Sequence, residues 1–141
     1  MKKLLLTMCA LVVVSLVSCN NQSKDHPYKV EGEKLAAKLD SLCKANDSVA
    51  AMALDDSIRA REAAIVAEGD STAIRDFRLA LKESRQRNAP YLTRQKVEAG
   101  ASKEEAVTPL VNDVLSGEGD ITTVTNSINE AIRASEGPTE E

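Results

Sequence analysis

Four basic residues at helical spacing form the main candidate for a binding surface. They lie within about 80° of one another on a helix that turns 100° per residue, and they are Arg75, Arg78, Lys82 and Arg85. Such a row can contact an anionic partner: a lipid headgroup, an acidic polymer or an acidic protein surface. The alternative is that it docks on the chain's own acidic C-terminal half or is solvated. Residues 75–96 carry seven basic and two acidic residues, whereas residues 97–141 carry two and ten.

Residues suited to catalysis or metal binding are sparse. His26 is the only histidine, and the chain has no H-x-x-x-H, C-x-x-C, G-x-S-x-G or P-loop motif. Asp55 and Asp56 are adjacent, so on a helix they diverge by about 100° and cannot act as a paired acid and base. Glu118 and Asp120 lack the ligand register of an EF-hand, and helix capping explains them better. We therefore predict no enzyme activity, no metal site and no cofactor.

The N-terminus has the make-up of a secretory signal. Lys2 and Lys3 precede an apolar run of 14 residues, 4–17, whereas a membrane-spanning helix needs about 20. A positive start, a short apolar run and small residues at its end are the parts of a cleaved signal peptide. The run therefore predicts export rather than a permanent membrane span.

The end of this run resembles the lipobox of bacterial lipoproteins. The four matching residues are Leu16, Val17, Ser18 and Cys19. The resemblance covers about the first 20 residues and implies cleavage after Ser18, diacylglycerol on the Cys19 sulfur and an acylated amino group. Two or more acyl chains hold a protein stably on a membrane. Asn20, in place of Asp, resembles lipoproteins sent to the outer membrane, on either its periplasmic or its surface-exposed face.

The composition of the mature chain, residues 19–141, suits one small acidic domain. Its 123 residues include 16 basic and 22 acidic ones, a balance that argues against nucleic acid as a partner. Single-strand binders also stack bases on aromatic side chains, and only Tyr28, Phe77 and Tyr91 are aromatic. Leu, Ile, Val and Phe make up 24 of the 123 residues, so we expect a thin core, with modest stability or self-association.

Cys43 is the single thiol left once Cys9 is removed with the signal and Cys19 is lipidated. It lies beside Leu42 at the edge of an apolar helical face, which predicts simple packing. An intermolecular disulfide is the alternative. A catalytic role would need a nearby base to form the thiolate, and His26 lies in the predicted tether.

The spacing of apolar residues predicts an all-α fold, a small bundle of five or six short helices behind a flexible N-terminal tether. No stretch of useful length alternates apolar and polar residues with period two, as a half-buried β-strand would. Asp47 or Ser48, and Asp70 or Ser71, are the expected helix caps, and Ser102 opens a capping box. The predicted helices span residues 32–46, 49–67, 71–88, a short segment from Pro90 to 98, 103–116, and a last one from 121.

These expectations combine into one description of the protein. We expect a signal peptide at 1–18, a lipidated cysteine and tether at 19–30, a helical domain at 31–136 and a disordered acidic tail at 137–141. The expected function is a lipid-anchored, non-catalytic interaction or structural module of the cell envelope, with an envelope protein as partner. The alternative is a binding protein for a small apolar ligand held between helices.

Overall fold

A computed structural model describes residues 26–137 of the chain and shows an all-α fold. Its helices are α1 (Pro27–Lys44), α2 (Ser48–Glu68), α3 (Ser71–Glu98), α4 (Lys103–Leu115) and α5 (Ile121–Glu136). No β-strand occurs within these residues. The predicted helical bundle is therefore confirmed. The predicted signal peptide, the predicted lipidation site Cys19 and the predicted tail at 138–141 lie outside the described part of the chain.

Side-chain caps begin four of these helices. In each case a side-chain oxygen accepts a hydrogen bond from a backbone N–H in the first turn, which has no partner within the helix. The acceptors are Asp47 for α2, Asp70 for α3, Ser102 for α4 and Asp120 for α5. At the starts of α2 and α3 the sequence allowed either an aspartate or the following serine as the cap, and in both helices the aspartate is the cap. Each such contact stabilises a helix by about 0.5–2 kcal/mol.

The first helix begins earlier than the sequence predicts. α1 starts at Pro27, and proline suits a first helical position because its backbone angle is already helical. The Tyr28 hydroxyl donates a hydrogen bond to Glu68 Oε2 at 2.9 Å. This contact joins α1 to the end of α2, and the polar sequence around Tyr28 gives no sign of it. The predicted tether at 19–30 is therefore corrected, because residues 27–30 belong to the helical domain.

Pro90 does not end α3, contrary to the sequence-based expectation. The helix runs through it to Glu98. A proline inside a helix costs about 3 kcal/mol, but the flanking residues Ala89 and Leu92 are buried, and a buried leucine alone contributes about 1.5–3 kcal/mol. Packing therefore keeps 71–98 as one helix, and the described residues form five helices rather than six.

Pro109 likewise lies inside a helix, α4. A proline at this position can either kink a longer helix or lie in the first turn of a shorter helix capped by Thr108. The helix is assigned from Lys103 onward, and the Thr108 hydroxyl donates to the Glu104 carbonyl at 2.6 Å. Thr108 is therefore not a cap.

α3 lies at the centre of the bundle and packs against each of the other helices. α1 runs parallel to it, because Gly32 lies against Phe77 and Asp40 accepts a hydrogen bond from Asn88. The two backbones approach closely here: a Cβ atom on Gly32 would lie 2.9 Å from the Phe77 carbonyl oxygen. Glycine at this position is what allows α1 to sit on α3.

The other three helices also pack on α3. α2 is antiparallel to it, since Glu62 pairs with Arg78 near one end and Asp55 with Lys96 near the other. α4 and α5 form a helical hairpin packed against α3 and against each other.

The bundle contains two apolar clusters. The larger lies between α1, α2 and α3, and its fully buried large side chains are Leu39, Ile58, Ile65, Phe77 and Leu81. The smaller one joins α4 and α5 through Val107, Val124 and Ala131. Both clusters and all four caps lie within residues 26–137. Self-association, expected from the small apolar content, stays a prediction.

None of the helices in this part of the chain combines the length and the apolar character needed to cross a bilayer.

Candidate functional site

The four basic residues singled out in the sequence all line one cleft of about 360 Å³. Its floor is the first half of α3, and its walls come from the end of α4, the turn at 117–120 and the start of α5. Apolar side chains line it as well, namely Ile74, Leu79, Leu110 and Val124. The structure thus brings Arg75, Arg78, Lys82 and Arg85 together in a concave site with a mixed lining.

The cleft exists because α5 covers only part of α3. α5 begins at Ile121, and its contact with α3 extends toward the C-terminal end, where Glu130 lies 3.9 Å from Arg94. The start of α3 is left open, and Leu79 is accordingly 61% exposed.

The wall formed by residues 117–120 depends on two glycines. Gly117 has a positive φ of 81°, which L-residues with side chains rarely adopt. A Cβ atom on Gly119 would lie 2.7 Å from the Val114 nitrogen, so the turn packs directly on the end of α4. These two positions hold the turn against the α4 backbone at the edge of the cleft.

Two of the four basic residues are engaged by carboxylates of the protein itself. Glu62 of α2 accepts from Arg78 Nε at 2.6 Å and from Arg85 Nη2 at 2.7 Å. Arg78 also pairs with Glu118 in the turn after α4. The alternative in which the row docks on the acidic C-terminal half is therefore right only for the contact of Arg78 with Glu118. Most of the docking is on α2, and only Glu118 belongs to the acidic C-terminal half.

Sequence reasoning missed Glu62, although a signal for it exists. It lies four residues after Ile58 and three before Ile65, which places it on the apolar face of α2. A carboxylate at such a position must be paired when it is buried, and the basic row on the next helix is the natural partner.

Electrostatics around Glu62 favour its ionised form. Burial by itself would raise the pKa of this carboxyl, but the charges and hydrogen bonds of Arg85 and Arg78 outweigh burial, so the pKa is lowered. For Arg78, burial opposes the charged form, while Glu62 and Glu118 raise the pKa overall. Both groups are therefore held charged, in a network that joins α2, α3 and the 117–120 turn.

The other two basic residues keep their charges available. Lys82 is exposed, and within residues 26–137 it has no hydrogen-bond or ion-pair partner. Arg75 has a side chain 67% exposed, and its Nε and Nη2 donate to Asp76 Oδ1 at 3.4 Å, long contacts that leave most of the guanidinium in solvent.

The acidic residues of the cleft, in contrast, are all engaged. Asp113 lies 3.6 Å from Arg59, Glu118 pairs with Arg78, and Asp120 caps α5. The charge that the cleft offers to a ligand is therefore positive.

A buried polar network continues from the cleft into the interior. Asp55 is 3% exposed and lies 2.7 Å from Lys96 Nζ and 3.7 Å from Arg59 Nε. Arg59 also reaches Asp113, so this chain of charges joins α2, α3 and α4 around a second, small cavity of about 20 Å³. α2 thus faces α4 through charged groups rather than through the apolar clusters.

Asp113 is the member of this network that the fold disfavours as an anion. Burial raises the pKa of this carboxyl above its ordinary value of 3.8, and the nearby Arg59 only partly compensates. A group whose folded-state pKa is raised stabilises the fold fully at pH values below the unfolded-state pKa, and that contribution is lost as the pH rises through the folded-state pKa.

We therefore expect Asp113→Asn to raise the melting temperature at pH 7 and to change it less at pH 3, where Asp113 is protonated in either state. Thermal unfolding followed by circular dichroism at both pH values measures this. Asp56→Asn, the same change at an exposed position of α2, is the control and should leave the melting temperature unchanged. A lower melting temperature for Asp113→Asn at pH 7 would show that the pair with Arg59 outweighs the effect of burial.

Cys43 is half-buried against the larger apolar cluster and forms no disulfide within residues 26–137. Burial raises the pKa of its thiol, and Asp40 and Asp55 add to the effect, so the environment disfavours the reactive thiolate. In the same part of the chain, no three His, Cys, Asp or Glu side chains are grouped as a metal site would require.

Comparison with known proteins leaves the site to be interpreted from its own geometry. No protein-family model, curated protein or solved structure matches the chain.

Proposed function

We propose that this protein is a lipid-anchored, non-catalytic binding module of the bacterial cell envelope, which holds an anionic group of an envelope partner in the cleft on α3. The observation that carries the proposal is the imbalance of available charge. Lys82 lines the cleft without a partner among residues 26–137, and the mostly exposed Arg75 contacts Asp76 at 3.4 Å. On the acidic side, Glu118 pairs with Arg78, Asp120 caps α5 and Asp113 lies 3.6 Å from Arg59. An anionic partner is the complement of such a site.

The lipobox resemblance at Leu16 to Cys19 supports the membrane location, which we propose to be the outer membrane. Seven residues lie between Cys19 and Pro27, and at about 3.5 Å per residue they span at most about 25 Å. The start of α1 contacts the end of α2 through Tyr28 and Glu68, close in sequence to Ser71 at the start of the cleft. The cleft is thus near the end of the bundle where the anchor attaches, and anchoring raises the effective concentration of a partner on the same membrane.

Crosslinking in the native host tests the proposal. A photo-crosslinking amino acid in place of Leu79, which lines the cleft and is exposed, should capture a defined envelope protein, and mass spectrometry should map the link to a segment rich in Asp or Glu. The double variant Arg75→Glu/Lys82→Glu should reduce the yield about tenfold or more, since it replaces two attractions by two repulsions.

The matched control is Lys34→Glu/Lys38→Glu, which makes the same change in net charge at exposed positions of α1 and should leave the yield unchanged. If both double variants reduce the yield equally, only overall charge matters, and the cleft is not the contact.

A small ligand held between helices is the second candidate, favoured by the size of the cleft. Its volume of about 360 Å³ lies at the lower end of the range of about 300–1,000 Å³ typical of small-molecule sites. A ligand carrier should retain extractable small molecules after purification, which mass spectrometry would detect. A purified protein that releases none would count against this candidate.

A further inference from the structure

The cleft has two kinds of surface, and their combination selects a class of ligand. Ile74, Leu110 and Val124 provide an apolar part, while Lys82 and Arg75 provide positive charge. A neutral apolar molecule would leave those two charges unused and partly desolvated, at a cost in free energy. A small hydrophilic anion would leave the apolar part unused.

We infer that the cleft binds a free single-chain amphiphile with an anionic head, a carboxylate or a phosphate on a short hydrocarbon chain. The inference deepens the second candidate function and rests on the same cleft. Lys82 Nζ and the Arg75 guanidinium contact the head, and the chain lies over the apolar residues of the lining, Ile74, Leu79, Leu110 and Val124. Arg78 and Arg85 are held in place by Glu62 and Glu118 and form the floor of the site. Arg85 Nε is buried and has no hydrogen-bond partner among the described residues.

Size decides between this ligand and a larger one. About 360 Å³ accommodates a chain of roughly eight to ten carbons, at the small end of ligand sites. The turn at 117–120 closes one side, with Gly119 packed on the α4 backbone. A diacyl lipid within a bilayer would have to leave the membrane to place its chains here, so a monomeric amphiphile in solution fits the site better than a membrane surface does.

The test is a titration of the unlipidated chain 20–141, which retains both apolar clusters and all four caps, followed by two-dimensional NMR at pH 7. The probe is octanoate below its micelle concentration, with octyl phosphate as a second anion. We expect saturable chemical-shift changes at Leu79, Lys82, Gly119 and Val124.

Two control ligands separate the head from the chain. Acetate, which has the head without the chain, should bind at least about a hundredfold more weakly, because each buried CH₂ strengthens binding several-fold. Octyltrimethylammonium, with the chain and the opposite charge, should not bind.

Variants assign the two subsites. Lys82→Gln and Leu79→Ser should each weaken octanoate binding about tenfold, and both positions are exposed, so the fold tolerates the changes. Lys82→Arg keeps the charge and should restore binding. Lys38→Gln on α1 is the control and should leave affinity unchanged.

Several outcomes would overturn the inference: no saturable binding of either anion, equal binding of octanol and octanoate, or binding to phosphatidylglycerol vesicles without binding to the free anions. A charge-dependent crosslink to an acidic protein segment, combined with no octanoate binding, would reject this ligand class and leave the proposed binding module standing.

Discussion

Replacing Glu62 with alanine is expected to destabilise the bundle by about 3–5 kcal/mol, the usual effect of removing one partner of a buried ion pair. The substitution leaves the Arg85 side chain, 13% exposed, without its carboxylate, and Arg78 with Glu118 alone. Small domains have a total stability of about 5–15 kcal/mol. The variant should therefore be close to unfolding, as urea denaturation followed by circular dichroism would measure.

The control is Glu83→Ala on α3. Glu83 is exposed and has no partner in the part of the chain that the structure describes, so its loss should change stability by less than about 0.5 kcal/mol. If Glu62→Ala cost less than about 1 kcal/mol, the arginine pairs would be exchangeable with water, and Glu62 would not organise the floor of the cleft.

The pH dependence of this effect follows from the direction of the pKa shift. Because the pKa of Glu62 is lowered in the fold, its contribution is present above the ordinary pKa of 4.5 and is lost as the pH falls through the folded-state value. The stability difference between wild type and Glu62→Gln should therefore be largest near neutral pH and shrink in acid. A difference that grows as the pH falls would contradict the assignment.

Replacing Cys19 with serine is expected to move the protein from the membrane to the soluble fraction. Acyl chains contribute about 0.8 kcal/mol per buried CH₂, and two or more chains hold a protein stably. Without the sulfur, the proposed lipobox would offer no acceptor for diacylglycerol, so labelled palmitate should no longer enter the protein. Fractionation of cells, followed by immunoblotting, measures the change.

Cys43→Ser is the matched control, since it removes the other cysteine of residues 19–141, the proposed mature chain. It should stay on the membrane and incorporate palmitate as the wild type does. A Cys19→Ser protein that remains membrane-bound would remove the basis for the proposed location, although the fold and the cleft would be unaffected.

Two of the four basic residues of the cleft form ion pairs within the protein, so the four should not be treated as one binding surface. Arg78 and Arg85 stabilise the fold, so changing them would confound binding with unfolding. Lys82 and Arg75 are at the exposed edge of the same cleft, and variants of these two residues test recognition with the core intact.

The sequence by itself determined the class of fold and most of the helix starts. Helical periodicity and capping are local: apolar residues at 3.6 spacing define a face, and an aspartate before it satisfies the first free N–H groups. Asp47, Asp70, Ser102 and Asp120 accordingly cap the helices that the sequence predicts. The helical spacing of Arg75, Arg78, Lys82 and Arg85 was visible in the same way.

Only the tertiary structure decided where these local rules fail. Pro90 predicts the end of a helix, yet α3 continues through it because Ala89 and Leu92 are buried. The spacing of Glu62 places it on the apolar face of α2, but the sequence could not show which basic residues it engages, nor that all four line one cleft with the turn at 117–120. These contacts join residues 16 to 40 positions apart, and their free energy depends on which helices meet in space, which no local spacing encodes.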